Sequence, residues 1–154
     1  MRDYNLKILI WLMFFGSLSF QSTVFADQPR DELVTALIKK ESSNKDHPDG
    51  NDQAVGDRHL KQKAYGCLQI RQPAVDDVNR RYNTNYRAED CLGDRALSIR
   101  ICRLYIDMWA TERRIGREPT DEDKARIWNG GPNGWKRSST ENYWLDLKNR
   151  FLKD

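Results

Sequence analysis

A stripe of apolar residues that ends on a carboxyl is the strongest constraint on this chain. In Glu32-Leu33-Val34-Thr35-Ala36-Leu37-Ile38-Lys39-Lys40-Glu41, the residues Leu33, Val34, Leu37 and Ile38 recur at the spacing of one helix face. The pattern predicts a helix from about Arg30 to Glu41 with that face buried. Glu41 lies four residues after Leu37 and three after Ile38, so it extends the same face, while Lys39 and Lys40 point away. A carboxyl on the buried side of a helix end is partly desolvated, and desolvation raises its pKa. A group that keeps its proton near neutral pH can act as a general acid. The plainer alternative is a solvated charge at a helix end.

The 154 residues suffice for one domain with a modest core. The first 26 do not read as fold. Arg2 and Lys7 precede an apolar run from Ile8 to Phe20, and Val24 and Ala26 are the small residues that a signal peptidase reads. The expectation is a signal peptide over residues 1–26 and a secreted or periplasmic domain over residues 27–154. An uncleaved anchor is the alternative, but the run is short for a span. No later stretch is apolar enough to cross a bilayer, so no integral membrane segment is expected after cleavage. Lys and Arg number 26 against 23 Asp and Glu. That near balance excludes a strong nucleic-acid binder and suits only mild attraction to an anionic cell wall. A monomer is expected.

Cys67, Cys91 and Cys102 form an odd set. In an exported protein this predicts one disulfide and one free thiol. Three pairings are open; Cys91–Cys102 closes the shortest loop and would leave Cys67 free. A catalytic thiol is the sharper reading, but neither His47 nor His59 sits in a nucleophile motif.

The rest reads as one mainly α domain. Ser42 to Tyr65 is polar, with turn signals at Pro48-Asp49-Gly50-Asn51 and Gly56-Asp57, and is either irregular loop or a small hairpin. Pro73 suits the first turn of a second helix, with Ala74, Val75, Val78 and Tyr82 as its stripe and Asn83-Thr84-Asn85 as its break. A third helix is predicted from about Arg95 to Glu112, apolar nearly all round. Thr120-Asp121-Glu122-Asp123 opens a fourth helix, which stops at Asn129-Gly130-Gly131-Pro132. Ser138 and Glu141 form a capping-box pattern ahead of a last helix carrying Tyr143, Trp144, Leu147 and Phe151.

Three clusters carry the functional signal. They are Glu41-Ser42-Ser43; Ala54-Val55-Gly56-Asp57 with Gly66-Cys67-Leu68-Gln69-Ile70; and Ala125-Arg126-Ile127-Trp128-Asn129-Gly130-Gly131-Pro132-Asn133-Gly134 with Tyr143-Trp144. Together they resemble the lysozyme-like superfamily of peptidoglycan-cleaving enzymes. The first two are similar to the Glu-Ser and Gly-x-x-Gln-Ile motifs of soluble lytic transglycosylases and goose-type lysozymes. The third is most similar to the late motif of invertebrate-type lysozymes, with Trp128 where that family has His. The resemblance spans Leu33 to about Leu147 and implies a small lysozyme-like α+β fold. It implies cleavage of the β-1,4 bond between N-acetylmuramic acid and N-acetylglucosamine in peptidoglycan strands, with Glu41 as general acid. It points to Asp57 as the second carboxylate, although the loop from Asp57 to Gly66 is longer here, with Asp52 as substitute. It places Gln69, Asn129 and Tyr143 in the sugar cleft, next to the glycine turn at Gly130. Ser42 is either a local brace for the helix end or a polar end residue. The family's extra cysteines are mostly missing.

The chemistry asks for the same residue types. Glycoside cleavage needs a proton donor for the leaving oxygen and stabilisation of an oxocarbenium-like transition state, and a second carboxylate can serve as nucleophile or base. Trp128, Trp135 and Tyr143 are candidates to stack on sugars, and Trp144 is expected in the core. No cofactor or metal is expected: Lys45 and His47 occupy positions that a calcium loop reserves for oxygen ligands, and two histidines far from a cysteine pair do not make a zinc site. Three further readings stay open: a lytic transglycosylase that needs no second carboxylate, a silent wall-binding protein, and an isopeptidase lacking an evident nucleophile.

Overall fold

The computed structural model describes residues 31–152. The expected signal peptide over residues 1–26 lies outside that range. Within it, α1 (Glu32–Ser42) is followed by a two-stranded antiparallel hairpin, β1 (Val55–Gly56) and β2 (Ala64–Tyr65), and then by α2 (Gln72–Tyr82), α3 (Arg95–Trp109), α4 (Glu112–Ile115), α5 (Asp121–Gly130) and α6 (Glu141–Phe151). Short 3-10 turns at Ala88–Cys91, Gly134–Lys136 and Ser138–Thr140 link them. The fold is mainly α with a small sheet, as expected, and the polar segment after α1 resolves as a hairpin. Val55 pairs with Tyr65 and Gly56 with Ala64, and an isolated bridge joins Tyr65 to Ile70. Among the described residues no helix is long and apolar enough to cross a membrane.

The sequence accounts for each helix. Asp31 caps α1 by accepting from the backbone N–H of Val34 at 3.2 Å. Glu32 sits in the first turn and Lys39 and Lys40 in the last, where each suits the helix dipole. The predicted stripe is buried: Leu33, Val34, Leu37 and Ile38, joined by Ala36. Asn83 ends α2 in the left-handed region at φ 53°, a conformation that asparagine tolerates. Thr120 and Asp123 complete a reciprocal capping box at the start of α5. Burial alone would raise the pKa of Asp123, but bonds from Arg117 and Thr120 outweigh it and hold the carboxyl below its usual value.

Three local expectations are corrected. The third helix stops at Trp109 rather than Glu112, because the chain turns at Ala110 and Thr111 and Glu112 instead opens α4. The capping box of Ser138 and Glu141 does not form. Ser138 starts a 3-10 turn, and Thr140 is the residue before α6. The Thr140 hydroxyl is held by tertiary bonds instead, accepting from Arg126 Nε at 3.0 Å and lying 2.7 Å from Gly134 O. That packing needs glycine at 134, since a Cβ there would come 1.9 Å from Arg126 O.

The cysteines give the third correction. The expected Cys91–Cys102 disulfide is absent, and all three cysteines are buried free thiols. Cys91 closes a 3-10 turn and packs by Ser98, whereas Cys102 lies one helical turn further on in the core. Burial pushes Cys67 up to about 12 and Cys91 to about 11, and raises Cys102 well above the usual thiol value. A thiol so raised is not a nucleophile at neutral pH, so the catalytic-thiol reading falls.

The core is centred on α3. Leu37 of α1, Ile101 of α3, Ile127 of α5 and Leu147 of α6 meet there with Leu68, Ile70, Val75 and Val78, all with no more than 1% exposure. Burying one such side chain contributes about 1.5–3 kcal/mol. Trp144 packs against this core, as expected.

Candidate active site

The end of α1 delivers Glu41 to a cleft of about 400 Å³. Ser42 fixes that end. Its hydroxyl lies 2.7 Å from Cys67 O and accepts from the backbone N–H of Asn51 at 3.0 Å. One side chain thus ties α1 to the segments on both sides of the hairpin. Ser42 is a brace and is not among the residues that line the cleft.

Glu41 is held from behind by α6. The Tyr143 hydroxyl donates to Glu41 Oε1 at 2.6 Å. Burial raises the pKa of Glu41, and the bond from Tyr143 and the charges of Lys40 and Arg71 only partly offset this. The net direction is upward, the direction that the stripe in the sequence predicted. Burial and the neighbouring Glu41 likewise raise Tyr143, so the phenol stays a donor. Tyr143 therefore stands against the acid, while the cleft is lined by other residues.

Asp57 lines the same cleft, across from the helix end on the first residue after β1. Its carboxylate is paired with Arg71, which also lines the cleft. Asp52, the substitute second carboxylate, is instead engaged by Arg95 Nε at 2.9 and 3.1 Å. Its backbone carbonyl accepts from Gly93 N–H, so it staples the loop before the hairpin to the start of α3. Gln69 enters the cleft from the closed turn between Gly66 and Ile70, and its amide donates to Gly66 O at 2.9 Å. Gly56 makes room for it, because a Cβ at 56 would come 2.0 Å from Gln69 Oε1.

Asp57 and Gln69 share a backbone feature. Each has φ near +50°, and among the described residues Asn83 is the one other non-glycine residue with positive φ. Asn83 ends a helix; the other two face the cleft. Left-handed backbone at a side chain such as Gln69 is unfavourable by about 1–3 kcal/mol and tends to cluster at functional sites.

The last helix turn of α5 forms the far wall with Trp128, Asn129 and the following Gly131. Trp128 stands edge-on to Tyr105, with ring centroids 5.9 Å apart, and both reach the cleft. Gly130 faces elsewhere: its carbonyl accepts from Arg137 at 2.9 Å, and a Cβ there would meet Thr140. Leu68, Ile70, Ala64, Pro73 and Ala74 supply the apolar remainder. The cleft therefore brings together Glu41, Asp57, Gln69 and Asn129, and leaves Ser42, Gly130 and Tyr143 outside its lining.

Two lining residues had no signal in the sequence reading. Arg71 follows Ile70 directly, but a charge beside a short apolar segment says nothing about which carboxylate it meets. Tyr105 belongs to the apolar face of α3 and is indeed 5% exposed, yet it still reaches the cleft.

A helical domain with a small hairpin, and a cleft between the hairpin and the helix ends, is the lysozyme-like architecture, and solved structures agree. The chain is similar to the inhibitor-bound lysozyme from Meretrix lusoria, at 22% identity over 78% of this chain and 88% of that one, with a TM-score of 0.62. It is similar to Tapes japonica lysozyme, at 24% identity over 78% and 89% with a TM-score of 0.62. The complex of Aeromonas hydrophila PliI with Meretrix lusoria lysozyme gives 20% identity over 78% and 88%, with a TM-score of 0.57. No family model matches the sequence, and no curated protein matches it. The likeness is one of fold: this chain has a lysozyme-like fold.

Proposed function

We propose that the protein is a peptidoglycan-cleaving glycosidase, a muramidase acting on the β-1,4 bond between N-acetylmuramic acid and N-acetylglucosamine. The observation that supports this best is a glutamic acid whose pKa is raised by burial, set at the wall of a cleft that holds a second carboxylate. Tyr143 occupies Glu41 Oε1, which leaves Oε2 to carry the proton. In this reading Glu41 gives that proton to the leaving glycosidic oxygen as the bond breaks. Asp57 faces the positive charge that develops on the sugar, as nucleophile or stabilising carboxylate. Gln69 and Asn129 offer hydrogen bonds to hydroxyl and acetamido groups, and Trp128 offers an aromatic face. The signal-like segment at residues 1–26 supports an exported enzyme that acts on the wall outside the cytoplasm.

One observation favours a second reading. The pairing of Asp57 with Arg71 restrains the carboxylate from attacking a sugar. A lytic transglycosylase dispenses with that attack, because the sugar's own hydroxyl closes a 1,6-anhydro ring. Mass spectrometry of the muropeptides released from purified peptidoglycan separates the two. The muramidase reading expects reducing ends. Anhydro ends would replace it with the transglycosylase, and no release would leave a wall-binding domain.

A further inference from the structure

Residues 58–63, the tip of the hairpin, read Arg58-His59-Leu60-Lys61-Gln62-Lys63 and are all exposed. The tip contains no acid, and Arg58, Lys61 and Lys63 make no ion pair among the described residues. The nearest acid in sequence, Asp57, is taken by Arg71. Elsewhere among the described residues, 11 of the other 19 lysines and arginines pair with a carboxylate, as in Arg80–Asp77 and Arg87–Glu89. The placement matters as much as the charge. Asp57 and Ala64, the residues on either side of the tip, both line the cleft, so the arm rises directly from the cleft rim. Six residues out and back reach up to about 10 Å beyond it.

We infer that this arm is an electrostatic clamp for the carboxylates of the peptide stems on the glycan. The inference rests on the glycosidase reading: a glycan strand in the cleft would carry peptides on its muramic acid residues, beside a rim from which the arm rises. Those peptides bear free carboxylates, opposite in charge to the arm. Unpaired lysine and arginine side chains on a loop suit such a partner, because they can follow a flexible anion without a fixed geometry. Teichoic-acid phosphates carry the same sign of charge, and the test separates them from the stem carboxylates.

The test is binding, measured in a Glu41→Gln background so that the wall is not consumed. Three proteins are compared on purified sacculi at low salt: the background itself, Arg58→Gln/Lys61→Gln/Lys63→Gln, and Lys61→Glu/Lys63→Glu. Exposed charge pairs contribute little each, so neutralising three should weaken binding about tenfold, with charge reversal weakening it further. The difference should shrink several-fold near 1 M salt, where the Debye length falls to about 3 Å. It should disappear on sacculi whose carboxylates have been amidated and persist on sacculi stripped of teichoic acid. Equal binding of all three proteins to native sacculi would overturn the clamp, and so would a difference that survives amidation or vanishes with the teichoic acid. Arm-dependent binding by a protein whose unmutated form cleaves no glycan would sink the glycosidase reading alone.

Discussion

The Tyr143 hydroxyl sits 2.6 Å from Glu41 Oε1, and this contact joins the two ends of the domain, α1 and α6, at the acid. The bond has two opposed consequences. It favours the carboxylate and so restrains the upward shift that burial imposes. It also occupies Oε1 and leaves Oε2 without that partner.

Replacing Tyr143 with Phe separates those effects. Loss of a bond that lowers the Glu41 pKa leaves burial less opposed, so the alkaline limb of the pH–activity profile should move to higher pH. Loss of positioning should lower kcat by up to about tenfold, in line with about 0.5–1.5 kcal/mol for a hydrogen bond to the protonated acid. A pH–rate series on Tyr143→Phe checks both. A drop in rate with no shift of the limb would reduce Tyr143 to packing.

Asp57 and Arg71 predict different outcomes although they touch. Asp57→Asn should reduce lysis by about 10²-fold or more if the carboxylate takes part in the chemistry. Arg71→Gln should be milder. Arg71 favours the ionised form of Glu41, so its removal raises that pKa and extends activity to higher pH. Turbidity clearing of sacculi from pH 4 to 9 reads both variants. Near-normal activity of Asp57→Asn with anhydro products would promote the transglycosylase. Asp52 offers no rescue, because it is bound to Arg95 away from the cleft lining.

The thiols give a prediction that corrects the expectation from an odd cysteine count. Labelling the denatured, unreduced protein should find three free thiols, whereas the native protein should react slowly at all three, because burial holds them protonated and covered. A single reactive thiol after denaturation would restore a disulfide.

What the sequence disclosed follows from where the information lies. The stripe Leu33, Val34, Leu37, Ile38 places Glu41 on a buried face by helical geometry alone, so the acid and its raised pKa were legible. The glycine stop at 130–131 and the helix break at Asn83 were legible too, though the left-handed conformation at Asn83 was not. The partners were not. Arg71 meeting Asp57, Arg95 meeting Asp52 and Tyr143 meeting Glu41 join residues 14, 43 and 102 positions apart, and no local pattern encodes such a meeting. The capping box at Ser138 failed for the same reason: a local pattern there yields to the tertiary demand that Thr140 bind Arg126. Tyr143, which the family resemblance placed in the cleft, bonds the acid that lines it.

The account turns on Glu41 as the proton donor. Its raised pKa means that the folded protein holds a proton there more tightly than the unfolded chain does. Stability from this group is therefore present below the unfolded value of about 4.3 and is lost as pH rises through the raised one. Glu41→Gln removes that loss, so the variant should melt no lower than the parent at pH 7, and poor folding will not explain its behaviour. The decisive measurement is turnover of purified peptidoglycan by Glu41→Gln, with melting followed in parallel. The predicted result is a fall of about 10²–10⁴-fold in a well-folded protein. Retention of more than about a tenth of the parent rate would contradict the assignment of Glu41 as the general acid.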